Sequence, residues 1–517
     1  MQAPPRCVLG IDLGTSSLKC VILDAEGTVR ATSDQSYPTA SPHPGWAEQD
    51  PADWLRALKS VLKTLVEMDP QGMQALQAIG ICSAAHIPVL LDDKDDVLRP
   101  AILWNDNRST EEVAYLQTHH LNAIQKTTLN QPGCTWTLPQ LMWVRNQEPE
   151  AIGKTRSLLS SKDYLVYRLC GRKVMDMGSA AATLMLDDAT RCWSEPLVRL
   201  SGLTPDAMPE IVNATDVVGH VSEQASSEFG LKAGIPIIAG GMDTTAELVG
   251  NGLLSAEGSY LIRMGTAGGI MVVEDHPAAL GGVITYPHLK AGSYYRQAGT
   301  NTCATALQWM RNQLAFLGPD VDDKISYEAL DALAAKVPPG ASQLLFHPYL
   351  QGERAPYWNA DMRASFTGID INHRWPDFVR SVMEGVAFSL RDCATLFADG
   401  QRDSRRAILT GGVTKSPIWS QIIADVFNME LLTIRDGGSA FGVALMASVG
   451  GELFGSLEEA TRTAIHYDRS FHPIAENVKT YQSRFDAYKG IVIRLHYPAA
   501  NLADSGELPT VPLQQRG

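Results

Sequence analysis

No stretch of about 18 uninterrupted apolar residues occurs in this 517-residue chain, so no segment is expected to cross a bilayer as a helix. The opening MQAPPRCVLG lacks the apolar centre of a secretory signal and runs almost directly into a strand, which predicts a cytoplasmic protein. There is also no CxxC pair among the eight cysteines (Cys7, Cys20, Cys82, Cys134, Cys170, Cys192, Cys303 and Cys393). Scattered so widely, they read as free thiols in a reducing compartment, not as a disulfide framework or a zinc site. Positive charge is in deficit: 43 Lys and Arg against 57 Asp and Glu leave a formal net charge of -14. Such a surface repels nucleic-acid backbones and anionic lipid, so neither nucleic acid nor membrane is expected as a partner. An anionic nucleotide would have to be held locally, by backbone N–H groups and a metal ion.

What is present is an ordinary globular composition, 45% hydrophobic and 19% charged. The length exceeds what one hydrophobic core supports, so two large domains are expected. Strands and helices alternate, which indicates an α/β architecture. CVLGIDLG–TSS–LKCVILDAEG reads as a β-hairpin closed by turn chemistry at Asp24–Gly27. Asp50 to Leu65 reads as an amphipathic helix with Asp50 as N-cap and Pro51 at its first position. Strands are predicted at AIGICSA and VLLD, a long helical region from Glu111 to about Gly171, and a helix starting near Thr244. SYLIRMGTAGGIMVVE then repeats the opening hairpin's layout roughly 250 residues later, the mark of two similarly built domains in tandem. A helix over 377–397, the strand RAILTGG, a helix over 417–427 and a helix opening at DGGSAFGVAL follow. The expected division is 1–253, 254–495 and a loose tail, 496–517.

Five constellations carry chemistry. In the first hairpin turn, Gly14, Thr15 and Ser16 can offer successive N–H groups to a phosphate, with Asp12 placed to hold Mg²⁺ directly or through water. Gly265 and Thr266 repeat that turn in the second hairpin. Either alone could be a plain surface hairpin; together they could clasp a triphosphate from two sides. Gly411 and Gly412 after a strand, followed by Lys415, suit a flat ring laid on backbone, although a tight turn has the same look. Asp243, delivered by two glycines to a helix start, is either an N-cap or a proton acceptor at the carboxyl edge of a strand. His86 and the segment Trp104–Asn105–Asp106–Asn107–Arg108 gather hydrogen-bonding groups beside an aromatic ring, as a polyhydroxylated ligand demands; a lone His is more often an ordinary satisfied residue.

From Val8 to about Ala447 these residues resemble the FGGY carbohydrate kinase family. LGIDLGTSSLKCVILDAEG resembles its phosphate hairpin, ASFTGIDINHRWPDFVRSVMEG its C-terminal signature, and TLPQLMWV its N-terminal signature, with Gln140 where lysine is usual. SPHPGWAEQDPADW, RPAILWNDNR and HPYLQGERAPYWN look most like xylulokinases. The resemblance implies two ribonuclease-H-like domains of the actin and hexokinase type, with a cleft between them. It implies ATP and Mg²⁺ between the hairpins, adenine near Gly411 and Gly412, Asp243 as catalytic base and, with Asp12, a carboxylate near the metal. His86, Trp104, Asn105 and Asp106 fall at substrate-pocket positions, and a homodimer is compatible with the resemblance. The expected activity is phosphorylation of a ketopentose-like sugar or polyol. Where xylulokinases usually carry Gln-Met-His-Gly, this chain has Ser83–Ala84–Ala85–His86–Ile87–Pro88, which predicts a substrate other than D-xylulose. A chaperone-like or actin-like ATPase would have no use for the segments around His86 and Trp104. A silent sugar sensor would not need Asp243 and both hairpins.

Overall fold

The computed structural model describes residues 5–256, 259–276, 282–315, 325–397 and 405–496. The tail expected at 496–517 lies, beyond its first residue, outside the described residues. The N-terminal half contains β1 (Cys7–Leu13), β2 (Ser17–Asp24), β3 (Val29–Ser36), α1 (Pro51–Met68), β4 (Leu76–Ser83), α2 (Ser161–Cys170) and α3 (Met177–Ala182). It continues through β5 (Val217–His220), β6 (Pro236–Ile238) and α4 (Asp243–Gly250). The C-terminal half contains β7 (Ser259–Met264), β8 (Gly268–Glu274), β9 (Ile284–Pro287), β10 (Tyr294–Thr300) and α5 (Trp375–Ala394). After these come β11 (Arg406–Thr410), α6 (Pro417–Phe427), β12 (Glu430–Ile434), α7 (Ser439–Gly450) and β13 (Tyr467–Phe471).

The first sheet runs β5-β6-β4-β1-β2-β3, and the second runs β9-β10-β8-β7-β11-β12-β13. In each, an antiparallel three-stranded meander (β1–β3; β7, β8, β10) is continued by two parallel strands (β4, β6; β11, β12) and an antiparallel edge strand. This is the same topology built twice, as the two similar hairpins predict.

Alternation along β1 explains its burial on both faces. Leu9, Ile11 and Leu13 join Trp54, Leu58 and Leu62 of α1 in one core, while Val8 joins Phe441, Val443 and Leu445 of α7 in another. The helices between the sheets cross over. α7, although it lies between β12 and β13 of the second sheet in sequence, packs on β1 and β4 of the first. α4, which ends the N-terminal half, places Leu248 in one core with Leu261, Met271, Ile408 and Leu432 of the second sheet. α4 and α7 touch at glycines: a Cβ on Gly442 would lie 1.7 Å from the Ala246 carbonyl oxygen, and one on Gly250 2.7 Å from that of Gly438.

The predicted helix over 417–427 has those bounds, and Asp50 caps α1 by accepting from the Ala52 N–H. The helical region expected from Glu111 to Gly171 is instead several short helices, and it contains the strand Ser157–Ser160. That strand pairs antiparallel with Pro88–Leu91, a non-local partner that local periodicity does not reveal. Among the described residues no helix is long and apolar enough to cross a membrane.

Candidate active site

Each hairpin turn is closed by the N–H of its glycine, the second turn being one residue tighter than the first. The Gly14 N–H donates to the Ser17 carbonyl at 3.0 Å, and the Gly265 N–H to the Ala267 carbonyl at 3.1 Å. Thr15 uses its carbonyl to accept from Gln49 Nε2 (2.7 Å) and its hydroxyl to accept from Trp104 Nε1 (3.0 Å). The turn is thereby fixed to the predicted pocket segment. Thr266 accepts through its carbonyl from the Cys303 N–H and the Thr305 hydroxyl, which leaves its own side chain without a bond among the described residues.

Gly411 and Gly412 are exposed at the carboxyl end of β11, and Lys415 is exposed beside them. Gly411 has φ +97°, and a Cβ there would lie 2.2 Å from the Met264 carbonyl oxygen, so only glycine fits. Nothing stands within 4 Å of where a Cβ on Gly412 would be, so a flat shelf of open backbone adjoins the second hairpin.

Asp12 is the penultimate residue of β1 and Asp243 begins α4. Burial pushes the Asp12 carboxyl up to about 6, opposed by hydrogen bonds from Ser439 and Cys82 and reinforced by the charge of Asp243. Burial also raises Asp243, opposed by the Arg263 guanidinium and by the Thr244 N–H and hydroxyl. Both donors from Thr244 reach Oδ1, at 2.7 and 3.2 Å. Oδ2 bears no hydrogen bond among the described residues. A pair of half-buried carboxylates that repel each other suits a divalent cation. The described residues contain no group of three or more His, Cys, Asp or Glu able to hold a metal. A cation here would therefore take most of its ligands from water and phosphate, the usual habit of Mg²⁺.

The four predicted pocket residues divide into two pairs. Trp104 is 39% exposed, and Asn105 is exposed with its amide unbonded among the described residues. Asp106 turns the other way. At 1% exposure its carboxylate accepts from the Ala47 N–H (2.6 Å) and from three donors of Arg108, so it presents no free atom to a ligand. Arg108 lies 3.8 Å over the Trp46 ring and also donates to Glu48. This inner cluster braces the loop that displays Trp104 and Asn105. Gln140, where lysine was expected, helps by donating from Nε2 to the Leu103 carbonyl at 3.2 Å.

His86 is likewise occupied. Its Nδ1 lies 2.7 Å from the Ala182 carbonyl, which can only accept, so Nδ1 carries the proton. Nε2 is then an acceptor and receives the Tyr286 hydroxyl at 2.8 Å. Burial lowers the ring to about 4, so it is neutral at physiological pH. Trp136 packs edge-on against it at 4.7 Å. Of the two alanines in the altered loop, Ala84 is buried with the first core and Ala85 is partly buried; both line a small cavity beside His86, together with Thr137, Ser160 and Ser179.

Sequence reasoning missed Tyr286, Trp136, Arg263 and Glu247. Tyr286 comes from the other half of the chain, 200 residues from His86. Arg263 bonds Glu247 at 3.2 Å across the space between α4 and β7.

Residues 7–250 match the N-terminal domain of the FGGY family of carbohydrate kinases, and residues 260–451 match its C-terminal domain. The chain is 33% identical to the xylulose kinase of Bacillus subtilis over 489 residues, 94% of this chain and 96% of that protein. It is 28% identical to a gluconokinase of the same organism over 96% of this chain and 98% of the other. The crystal structure of xylulose kinase from Rhodospirillum rubrum superposes with a TM-score of 0.87 at 29% identity, covering 95% of this chain and 99% of that one.

Proposed function

The chain belongs to the FGGY family of carbohydrate kinases, and from that premise we propose that it transfers the γ-phosphoryl group of ATP to a hydroxyl of a ketopentose-like sugar or polyol through Asp243. The observation that carries the assignment is the position of Asp243: it heads α4 between the two hairpins, with Oδ1 tied to Thr244 and Oδ2 unbonded among the described residues. The sugar hydroxyl gives its proton to Oδ2 as its oxygen bonds to the γ-phosphorus. The bond from phosphorus to the bridging oxygen breaks, its electron pair going to the β-phosphate of ADP.

Gly14, Thr15, Ser16, Gly265 and Thr266 hold the phosphates, and Gly411, Gly412 and Lys415 the adenine end. Asp12 and, through water, Asp243 would hold Mg²⁺, which would neutralise phosphate charge. Trp104 and Asn105 face the sugar. His86 acts as a positioning residue: with one nitrogen on the Ala182 carbonyl and the other on the buried Tyr286 hydroxyl, it fixes the wall of the sugar pocket. Asp106 braces the loop. The site of action is the cytoplasm.

A coupled ADP-release screen over ketopentoses, aldoses and four- to six-carbon polyols tests the assignment. The expected result is one pentose-sized ketose or polyol, distinct from D-xylulose, turned over best; no sugar-dependent ADP release sinks it. In the same assay His86→Ala raises KM for that substrate tenfold or more, since a mispaired buried polar group costs about 1–3 kcal/mol, and leaves ATP affinity unchanged. An unchanged sugar KM would take the His86–Tyr286 pair out of the pocket.

Gly14→Val is the matching test of the first cradle. Among the described residues a Cβ at Gly14 meets only the Ser17 carbonyl oxygen, at 3.1 Å, a tight contact that a shift of a few tenths of an ångström in this turn relieves, while the branched side chain blocks phosphate approach. ATP affinity measured by calorimetry is expected to fall at least tenfold with little change in melting temperature. Normal ATP binding by this variant removes the first hairpin from the nucleotide site.

A further inference from the structure

We propose that Arg263 is a further catalytic residue of this transfer: a guanidinium from the second sheet that contacts the phosphoryl group in flight, aimed by Glu247. The proposal rests on the kinase reading above. Arg263 lies on β7, two residues before Gly265 of the second cradle. In register it stands between Thr410 of β11 and Gly269 of β8, and Gly269 in turn pairs with Gly299 of β10. Two neighbours without side chains leave open backbone beside the arginine, on the face turned toward α4.

The aim is set from α4. Nη1 meets Glu247 Oε2 at 3.2 Å, and Oε1 of the same carboxylate accepts from the Thr410 hydroxyl at 3.2 Å. Glu247 stands one helical turn beyond Asp243, so the ion pair that fixes the guanidinium places it against the proton acceptor. Of the charges acting on Asp243, that of Arg263 is the one that most favours its ionised form. The rest of the guanidinium is open to a ligand. Nη2 has only the Met271 sulfur at 4.0 Å, Nε has no partner among the described residues, and the side chain is 38% exposed against 11% for Glu247.

A second arginine makes the case for an anion. Arg354 lies over the same glycine floor, with Nη2 3.0 Å from where a Cβ of Gly299 would sit. Its Nη2 donates to the Thr300 carbonyl at 3.2 Å and its Nε is buried without a hydrogen-bond partner among the described residues; burial and the charge of Arg263 act against its own charge, which Glu353 only partly supports. Two like charges converging on bare backbone beside a proton acceptor favour an anionic guest between them. In the transfer, the sugar oxygen bonds to phosphorus, its proton goes to Asp243, and the electron pair of the breaking bond goes to ADP. Charge is then spread over the three equatorial oxygens and grows on the leaving oxygen, and a preorganised guanidinium aimed at that group in flight stabilises it.

The test uses the substrate found in the screen, with Arg263→Ala, Arg263→Lys and Arg263→Gln, the last kept because its amide can still bond Glu247 and preserve the fold. Expected are a kcat loss of about 10²–10³-fold, KM for sugar and ATP within about threefold, little recovery with lysine, and at least tenfold rescue of the alanine variant by added guanidinium. Three results overturn the proposal: kcat within about threefold of wild type, a loss confined to the sugar KM, or recovery in the charge-reversed pair Arg263→Glu with Glu247→Arg. The first leaves the arginine without a role in the chemical step, the second makes it a sugar contact and the third a strut between the sheets. Failure of the kinase reading is separate, because there the wild-type protein itself shows no sugar-dependent ADP release.

Discussion

Asp243→Asn lowers kcat by about 10²–10⁴-fold while ATP affinity stays within a few-fold of wild type. The substitution is nearly isosteric. An asparagine oxygen can still accept from the Thr244 N–H and hydroxyl at the Oδ1 position, so the first turn of α4 keeps its geometry. What is lost is the second oxygen's capacity to take a proton from the attacking hydroxyl. The nucleotide is held by the hairpins and the Gly411–Gly412 shelf, so its affinity should not follow kcat. Steady-state rates with the best substrate, together with ATP calorimetry, separate the two. A loss of only a few-fold would mean that some other group takes the proton.

Gly442→Ala is expected to destabilise the protein by at least about 3 kcal/mol, the upper range for overpacking, and to depress kcat at the same time. The added methyl would sit 1.7 Å from the carbonyl oxygen of Ala246 and 2.8 Å from the Gly250 nitrogen, both backbone atoms of α4. No rotamer change relieves a clash with backbone, so α4 must move away from α7. Asp243 is the first residue of α4, so the displacement reaches the proton acceptor. Gly412→Ala is the control, since a Cβ there meets nothing within 4 Å. Denaturant titration should show a large midpoint shift for the first variant and none for the second. Equal midpoints would refute the close-packed crossing.

How much of this was legible in the sequence depended on range. The paired hairpins could be read because each is local: two apolar runs around a Gly-Thr turn, with the partner strand a few residues away. The duplicated topology followed from their similarity. The bounds of α6 were legible because Pro417 and Asn428 punctuate both ends. The region 111–171 was misread because the strand Ser157–Ser160 is defined by its partner Pro88–Leu91, not by its own periodicity. The site follows the same rule. Asp12, Gly14 and Asp243 could be singled out as candidates from local sequence, near the end of a strand or in the turn beyond it. Asp106 looked like a ligand contact because its type is right, but its direction is set by Arg108, two residues on, and by Ala47, far back in the chain. Tyr286 and Arg263 carried no local signal, since each is defined by a partner on the opposite half.

The crossing of α7 has a consequence for how the protein is made. The first sheet has all its strands once Met242 has been synthesised, but the apolar face bearing Val8, Ala78 and Ile238 is covered by Phe441, Val443 and Leu445 of α7. That helix emerges some 200 residues later, about 10–40 s at the usual synthesis rate of roughly 5–20 residues per second. Through that interval the nascent N-terminal half carries an uncovered greasy surface and an Asp12 still lacking its Ser439 partner. Released at residue 253, it would be a client for holdase chaperones or a seed for aggregation, not a free-standing sugar-binding module.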